Sequence, residues 1–405
     1  MRRTHKILLI YTAALVQGLA LVAFPAASDV FTSADFHALS SSQYGSLFLP
    51  MVIAAILAST LGGPQARRRG LKPVFLAGLG ADLLAMTLLA SSQLAIGTPG
   101  LAYALLLLAM AALGLGFGAT LTALNALAMA YFPQRPERAL TALHALLGTG
   151  TALAPLLTAL VSGLGAWWAL AVILAVVLAL LLAAGLRFAL APAKASDAPG
   201  TGEPVALTGA VRVLGLFVLA GIVYGIVETL FANWALIYLR EDAGVSVRAA
   251  GYALTAFWAM VTAGRLLTAA AGGWLSPTRI YVALPGLMII AFLWVASVGG
   301  AASGIAAFAL AGLACSAFLP LSIGFAQACH RDLTELVSGV MMAAYLLGFG
   351  IGSYGLGPLR EAAGIPLTIL YSASASLAIL LMGIALVLAR RRAAAASTPP
   401  PAVAP

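Results

Sequence analysis

Between Trp168 and Leu190 the chain carries one charged residue, Arg187, and apolar runs of about 20 residues like this one recur from end to end. A backbone inside lipid has no water for its N–H and C=O groups, so such runs fold as helices or as a closed barrel. Barrel strands alternate apolar and polar residues over about 10 positions, and these runs do not alternate. Composition agrees: 62% of the 405 residues are hydrophobic and 8% are charged, about a third of the charged share of a soluble domain. A water-soluble fold is excluded, and the expected class is an all-α membrane protein.

Breaks between the runs predict twelve spans, near 7–28, 44–63, 73–92, 101–131, 139–162, 166–190, 211–237, 249–273, 279–299, 302–328, 335–358 and 366–389. Arg2, Arg3 and Lys6 ahead of the first run, with Ala26 to Ser28 after it, imitate a secretory leader, but the run is too long for one. With the N-terminus inside, 17 of the 21 Lys and Arg residues fall on the inner side. Arg240, Arg248 and Arg360 fall outside, and Arg265 lies within a span. Positive residues mark the cytoplasmic side, so both termini are expected in the cytoplasm. The net charge of +9 has the same origin, and no nucleic-acid partner is expected, because no basic patch interleaves with exposed aromatics. Cys315 and Cys329 lie in apolar context and offer no disulfide framework. The Ala- and Arg-rich wording suggests a bacterial source, hence the bacterial cytoplasmic membrane.

Residues 191–210 turn to Pro, Gly, Ala and polar side chains, which neither bury in lipid nor pack a core. They divide a six-helix half at 1–190 from a second at 211–392, followed by a tail at 393–405 expected to be disordered in the cytoplasm. The halves echo each other. Leu146-Leu147-Gly148-Thr149-Gly150 with Pro155 recurs as Leu346-Leu347-Gly348-Phe349-Gly350 with Pro358, each in the fifth span of its half.

This pattern resembles the major facilitator superfamily of secondary transporters over essentially the whole chain. In loop 2–3, residues 63–72 match the family's Gly-x-x-x-Asp-Arg-x-Gly-Arg-Lys pattern at Gly63, Arg68, Gly70 and Lys72, while Arg67 stands at the acidic position. A narrower resemblance, to the fucose/glucose/galactose proton-symporter branch, rests on Gly116-Phe117-Gly118 through Asn125, His144 to Gly150 with Pro155, Glu228 with Asn233-Trp234, and Gly264-Arg265. Leu121 stands where that branch's sugar permeases carry an acidic residue, so that residue's proton-coupling role does not carry over. The resemblance implies a twelve-helix fold in two pseudo-symmetric halves, a small-molecule substrate, protons as coupling ion, no cofactor, and a monomer in the lipid bilayer.

Charges at membrane depth are costly and mark function by default; Asp82, Glu228 and Arg265 are the three. Tyr224 and Glu228 are four apart and share a helix face, beside a small-residue edge of Gly221 and Gly225. Counted from loop 7–8, Glu228 and Arg265 differ in depth by about 7.5 Å, at about 1.5 Å per residue. A long Arg side chain nearly spans that gap, so the two are expected to pair, with Glu228 either taking up a proton or holding a static ion pair. Asp82 is a second proton-coupling candidate, set against structural pairing. Asn125 and His144 are equidistant from the middle of loop 4–5, which brings them level in an antiparallel hairpin and predicts a hydrogen bond between them. An unperturbed histidine titrates near neutral pH, so His144 is the third proton-coupling candidate.

Gln17, Asn125, Tyr224, Asn233, Trp234, Tyr252, Trp258, Arg265 and Gln327 are the candidate cavity residues, since aromatic faces and amides suit a sugar-like solute and also an amphipathic drug. Trp167, Trp168 and Trp274 lie near span ends and read as interface anchors. Soft ligands at Cys329, His330, Met341 and Met342 could select copper(I), but neighbours on one helix point apart, and no metal site is expected. No Gly-x-x-x-x-Gly-Lys-Ser/Thr loop occurs, so the driving force is a gradient rather than a nucleotide. An enzyme would draw acid and base groups from Asp29, Asp35 and His37 in loop 1–2; the simpler reading is a solvated loop, and no catalysis is expected. The function expected is proton-linked secondary transport of a small polar solute. Efflux of an amphipathic compound is the alternative, and a non-transport sensor or scaffold a minor one.

Overall fold

The computed structural model describes residues 2–190, 207–270, 274–329 and 334–397, and twelve of its helical spans are long and apolar enough to cross a membrane. The first half comprises α1 (Arg2–Ala26) with its extension α2 (Ser28–Thr32), α3 (Ser41–Ser46) continuing as α4 (Phe48–Arg69), α5 (Leu71–Ser91), α6 (Pro99–Tyr131), α7 (Pro136–Gly163) and α8 (Ala169–Arg187). The second comprises α9 (Leu207–Asn233), the short α10 (Ala235–Ile237), α11 (Val247–Ala270), α12 (Pro277–Val295), α13 (Ala301–Cys315) and α14 (Phe318–Cys329) in one span, α15 (Thr334–Ala363) and α16 (Leu367–Ser397). The end bearing loops 1–2 and 7–8 is termed outer, following the charge distribution.

Local chemistry sets the boundaries. Pro99, Pro136 and Pro277 open their helices, where a missing N–H costs nothing. Ser40 caps α3 in a reciprocal box with Gln43. Gly70, at φ +85°, makes the one-residue reversal between α4 and α5. The linker expected at 191–210 begins outside the described residues, and its last four residues already belong to α9. The tail expected to be disordered from 393 is helical through Ser397, because α16 continues along an alanine run that favours helix; residues 398–405 lie outside the described residues.

Glycines let the first and fifth spans of each half meet backbone to backbone. A Cβ built at Gly150 would lie 2.1 Å from the Leu15 carbonyl oxygen, and one at Gly18 would lie 2.0 Å from that of Leu147. In the second half, a Cβ at Gly348 would lie 1.9 Å from the Ile222 carbonyl oxygen, and one at Gly225 would lie 2.3 Å from that of Tyr345. The structural counterpart of Gly150 is therefore Gly348, so the symmetry is shifted by two residues from the register of the sequence echo. Gly148 instead faces the other half, against Thr262; its shifted counterpart, Leu346, likewise faces the other half, against Val52 and Ala55.

Exposed apolar side chains such as Ile173, Val176 and Leu180 on α8 supply the lipid-facing belt. Trp168 and Trp274 are exposed near span ends. Trp167 is not an interface anchor: it is buried, and its indole N–H donates to Gln93.

Candidate functional site

The two halves are joined at their outer ends. Tyr44 on α3 donates through its hydroxyl to the Asn233 carbonyl at 2.6 Å and meets Trp234 edge to face. The Ser42 amide donates to Glu361 at 2.8 Å, Thr32 to Glu241 at 3.3 Å, and Arg360 to Ser41 at 3.4 Å. Arg360 in turn binds Glu241 at 2.6 Å and Asp242 at 3.4 Å within its own half. Asn233 and Trp234 both donate to Ser353 on α15 and are buried. These two predicted cavity residues thus belong to the outer closure.

Two seams run inward from this closure, α7 against α11 and α4 against α15. Both are tight in their outer part: a Cβ at Gly251 would lie 2.8 Å from Ala159, one at Gly148 2.4 Å from Thr262, and one at Gly45 2.6 Å from the Ser353 carbonyl oxygen. About one turn further inward the seam residues become exposed: His144 on α7, Arg265 on α11 and Met342 on α15. On a helical wheel, His144 falls between the stripe that packs on α1 (Leu143, Gly150, Ala154) and the stripe that packs on α11 (Gly148, Pro155, Ala159). Arg265 falls between the stripe against α13 (Phe257, Val261, Gly264) and the stripe against α7 (Gly251, Thr262). Both side chains face the interior of the molecule, so their exposure marks an opening toward the inner face.

At the head of this opening the tenth span is broken between Cys315 and Phe318. Pro320 has no N–H to return to the carbonyl four residues earlier, that of Ser316. Arg265 takes that carbonyl through Nε at 3.0 Å, and the Tyr224 hydroxyl takes the neighbouring Cys315 carbonyl at 2.6 Å. Irregular backbone inside a membrane persists only where other groups satisfy it in this way. Tyr224 also lies 3.0 Å from the Glu228 carboxyl, which the Tyr345 hydroxyl approaches as well. Glu228 is buried and within electrostatic reach of Arg265, yet the two form no ion pair. The expected contact gives way because Arg265 is held on the Ser316 carbonyl.

Thr255 and Trp258, on α11 outward of Arg265, bury a hydroxyl and an indole N–H without hydrogen-bond partners. Tyr224, Glu228 and His144, each within electrostatic reach of Arg265, form with it a polar column that can bind a solute by hydrogen bonds and charge. Pro320 and this pair of freed carbonyls are what the sequence reading missed; the signal was a proline inside an apolar run.

Other predicted residues lie elsewhere. Gln17 donates to Asp82 at 3.2 Å and Thr120 to the other carboxyl oxygen at 3.3 Å, all three buried within the first half. Gly116 leaves room for that carboxylate, since a Cβ there would lie 2.0 Å from it. Asn125 continues the α6 stripe of Gly114, Gly118 and Thr122 that packs on α4, with its side-chain oxygen buried and unpartnered. It makes no hydrogen bond to His144, since its face of α6 packs on α4. Tyr252 shares the exposed lipid-facing side of α11 with Ala259 and Leu266, and Gln327 donates to Ser338 at 2.8 Å. In loop 2–3, Lys72 donates to the Leu186 carbonyl at 2.8 Å, near the end of α8. Gly63 lies within α4, and Arg68 lies in its last turn ahead of Gly70.

Loop 1–2 is not a solvated set of acid and base groups. His37 is buried between Phe31 and Trp167, with Nε2 at 3.2 Å from the Ser92 carbonyl, and burial holds its pKa below the usual value near 6.5. Asp35 is exposed, and Asp29 sits within electrostatic reach of Arg240 in the other half. Of the copper(I) candidates, Cys329 is exposed and Met341 buried, while His330 lies outside the described residues.

The solved structure of the nucleoside transporter NupG is similar to this chain, with a TM-score of 0.71 at 14% identity over 96% of this chain and 99% of that one. A bacterial homolog of the human lysosomal transporter Spinster, inward-facing and occupied, gives 0.70 at 16% identity over 98% and 97%. The E. coli fucose:proton symporter FucP gives 0.59 at 18% identity over 97% and 99%. At these identities the likeness establishes the fold alone. No curated protein sequence matches. The family model for the Major Facilitator Superfamily matches residues 8–353. The chain belongs to that superfamily, whose two-half, twelve-helix architecture it shares.

Proposed function

We propose that this protein is a proton-linked secondary transporter that moves a small polar solute by alternating access, with Glu228 as the proton carrier. The observation that supports it best is a buried carboxyl in a membrane span, 3.0 Å from Tyr224, beside an inward opening lined by Arg265 and His144. A membrane-buried acid that lacks an ion-pair partner gains or loses its proton as the surrounding polarity changes. Rocking of the halves would supply that change, since the closed outer seam and the open inner seam exchange in the cycle. Asp82 is assigned a structural part, because Gln17 and Thr120 hold it away from the opening. The protein acts as a monomer in the bacterial cytoplasmic membrane with both termini in the cytoplasm, a topology supported by the distribution of Lys and Arg. The family and the polar column favour transport over catalysis. The test is proteoliposome uptake of a solute first identified by thermal shift, with and without an inward proton gradient. Gradient-driven accumulation supports the reading; downhill movement that ignores the gradient removes the proton from it.

A further inference from the structure

The inner opening carries the guanidinium of Arg265, which among the described residues makes no ion pair with a carboxylate, although Glu228 lies within its electrostatic reach. Arg265 is exposed on the side of α11 that faces the interior, away from the lipid-facing Ala259 and Leu266. A snorkelling arginine would instead follow the lipid side of its helix toward the headgroups. Its Nε is committed to the Ser316 carbonyl at 3.0 Å, which fixes the plane of the guanidinium and leaves both Nη groups for another partner. Among the described residues, the ion pairs within 4 Å all belong to Arg360. His144 meets this position from the opposite half, exposed and within electrostatic reach of Arg265. In the symmetry-related seam, the counterpart of His144 under the two-residue shift is Met342. The Arg265 and His144 pair therefore belongs to one seam only and is not a general lining.

We propose that the transported solute carries a carboxylate or phosphate group, and that Arg265 and His144 bind this group between the two halves. The inference rests on the transporter reading and narrows its polar solute to an organic anion. A guanidinium fixed through Nε presents its Nη pair as a fork, which matches the two oxygens of such a group. The imidazole of His144 adds a donor from the facing half. Bound anion would bridge α7 and α11 below the Gly148–Thr262 contact, where the seam opens.

The test uses purified full-length protein and matched probes: D-gluconate against D-glucose, glycerol 3-phosphate against glycerol, and a panel of mono- and dicarboxylates. The expected result is thermal stabilisation by one or more anions and by none of their neutral partners. Arg265→Gln weakens that binding tenfold or more, and Arg265→Lys, which keeps the charge, retains part of it. Folding of each variant is checked by monodispersity. Equal binding of neutral and charged partners, unchanged binding in Arg265→Gln, or no response to any anion overturns the proposal. Stabilisation by added phosphatidylglycerol alone overturns it too, in favour of a lipid headgroup. A neutral solute transported equally by the parent and Arg265→Gln removes the anion site and keeps the transporter; failure to move any bound solute removes the transporter reading itself.

Discussion

The Nε of Arg265 donates to the carbonyl of Ser316 at 3.0 Å, across a break in the tenth span that Pro320 holds open. Pro320→Ala restores an N–H that competes for this carbonyl. Removing an interior proline is worth up to about 3 kcal/mol where the helix can close. The expected outcome is a higher melting temperature with transport reduced at least tenfold, measured by differential scanning fluorimetry and proteoliposome uptake. Unchanged transport in a stabilised variant would separate the break from function.

The glycine contacts give a contrast within one protein. Gly150→Ala and Gly348→Ala each force a Cβ to about 2 Å from a facing carbonyl, and should destabilise by about 1–3 kcal/mol through helix displacement. Gly80→Ala and Gly286→Ala meet nothing within 4 Å and should be neutral, or stabilising by up to about 1 kcal/mol. Melting temperatures of the four variants check the ordering.

The outer closure sets the conformational balance. Tyr44→Phe and Glu361→Gln remove or weaken the bonds to the Asn233 carbonyl and the Ser42 amide. Together they should shift the equilibrium toward outward opening by about 2 kcal/mol, roughly thirty-fold. Spin-label distances between the outer ends of α4 and α15 should lengthen in the double variant and stay short in the parent.

His37 titrates with a definite sign. Its folded pKa lies below the unfolded value near 6.5, so the unfolded chain binds more protons and stability rises with pH. The contribution is present above about pH 6.5 and is lost as pH falls from there toward the folded pKa. Comparing melting temperatures from pH 8 to 5 isolates it: His37→Asn should flatten the decline relative to the parent.

Much of the fold was legible because lipid permits few solutions. Long apolar runs, the break after Leu190 and the skewed Lys and Arg residues led to twelve spans and two halves. The pairing of Tyr224 with Glu228 followed from helical spacing alone. Depth counts were less informative, since they address a level and not a direction: Asn125 shares the α6 face that packs on α4, whereas His144 lies between the α7 stripes that pack on α1 and α11. Asn233 and Trp234 read as cavity residues because a sequence does not reveal which end of the seam is closed. The partner of Arg265 was a backbone carbonyl, which no side-chain pattern displays; only the proline four residues further on recorded it.

The most direct test of proton coupling is uptake by Glu228→Gln in proteoliposomes, read beside counterflow exchange of the same solute. Loss of gradient-driven accumulation with exchange retained is the expected result. Equal loss of both, in a protein that still folds, would contradict the account and make Glu228 a binding or structural residue.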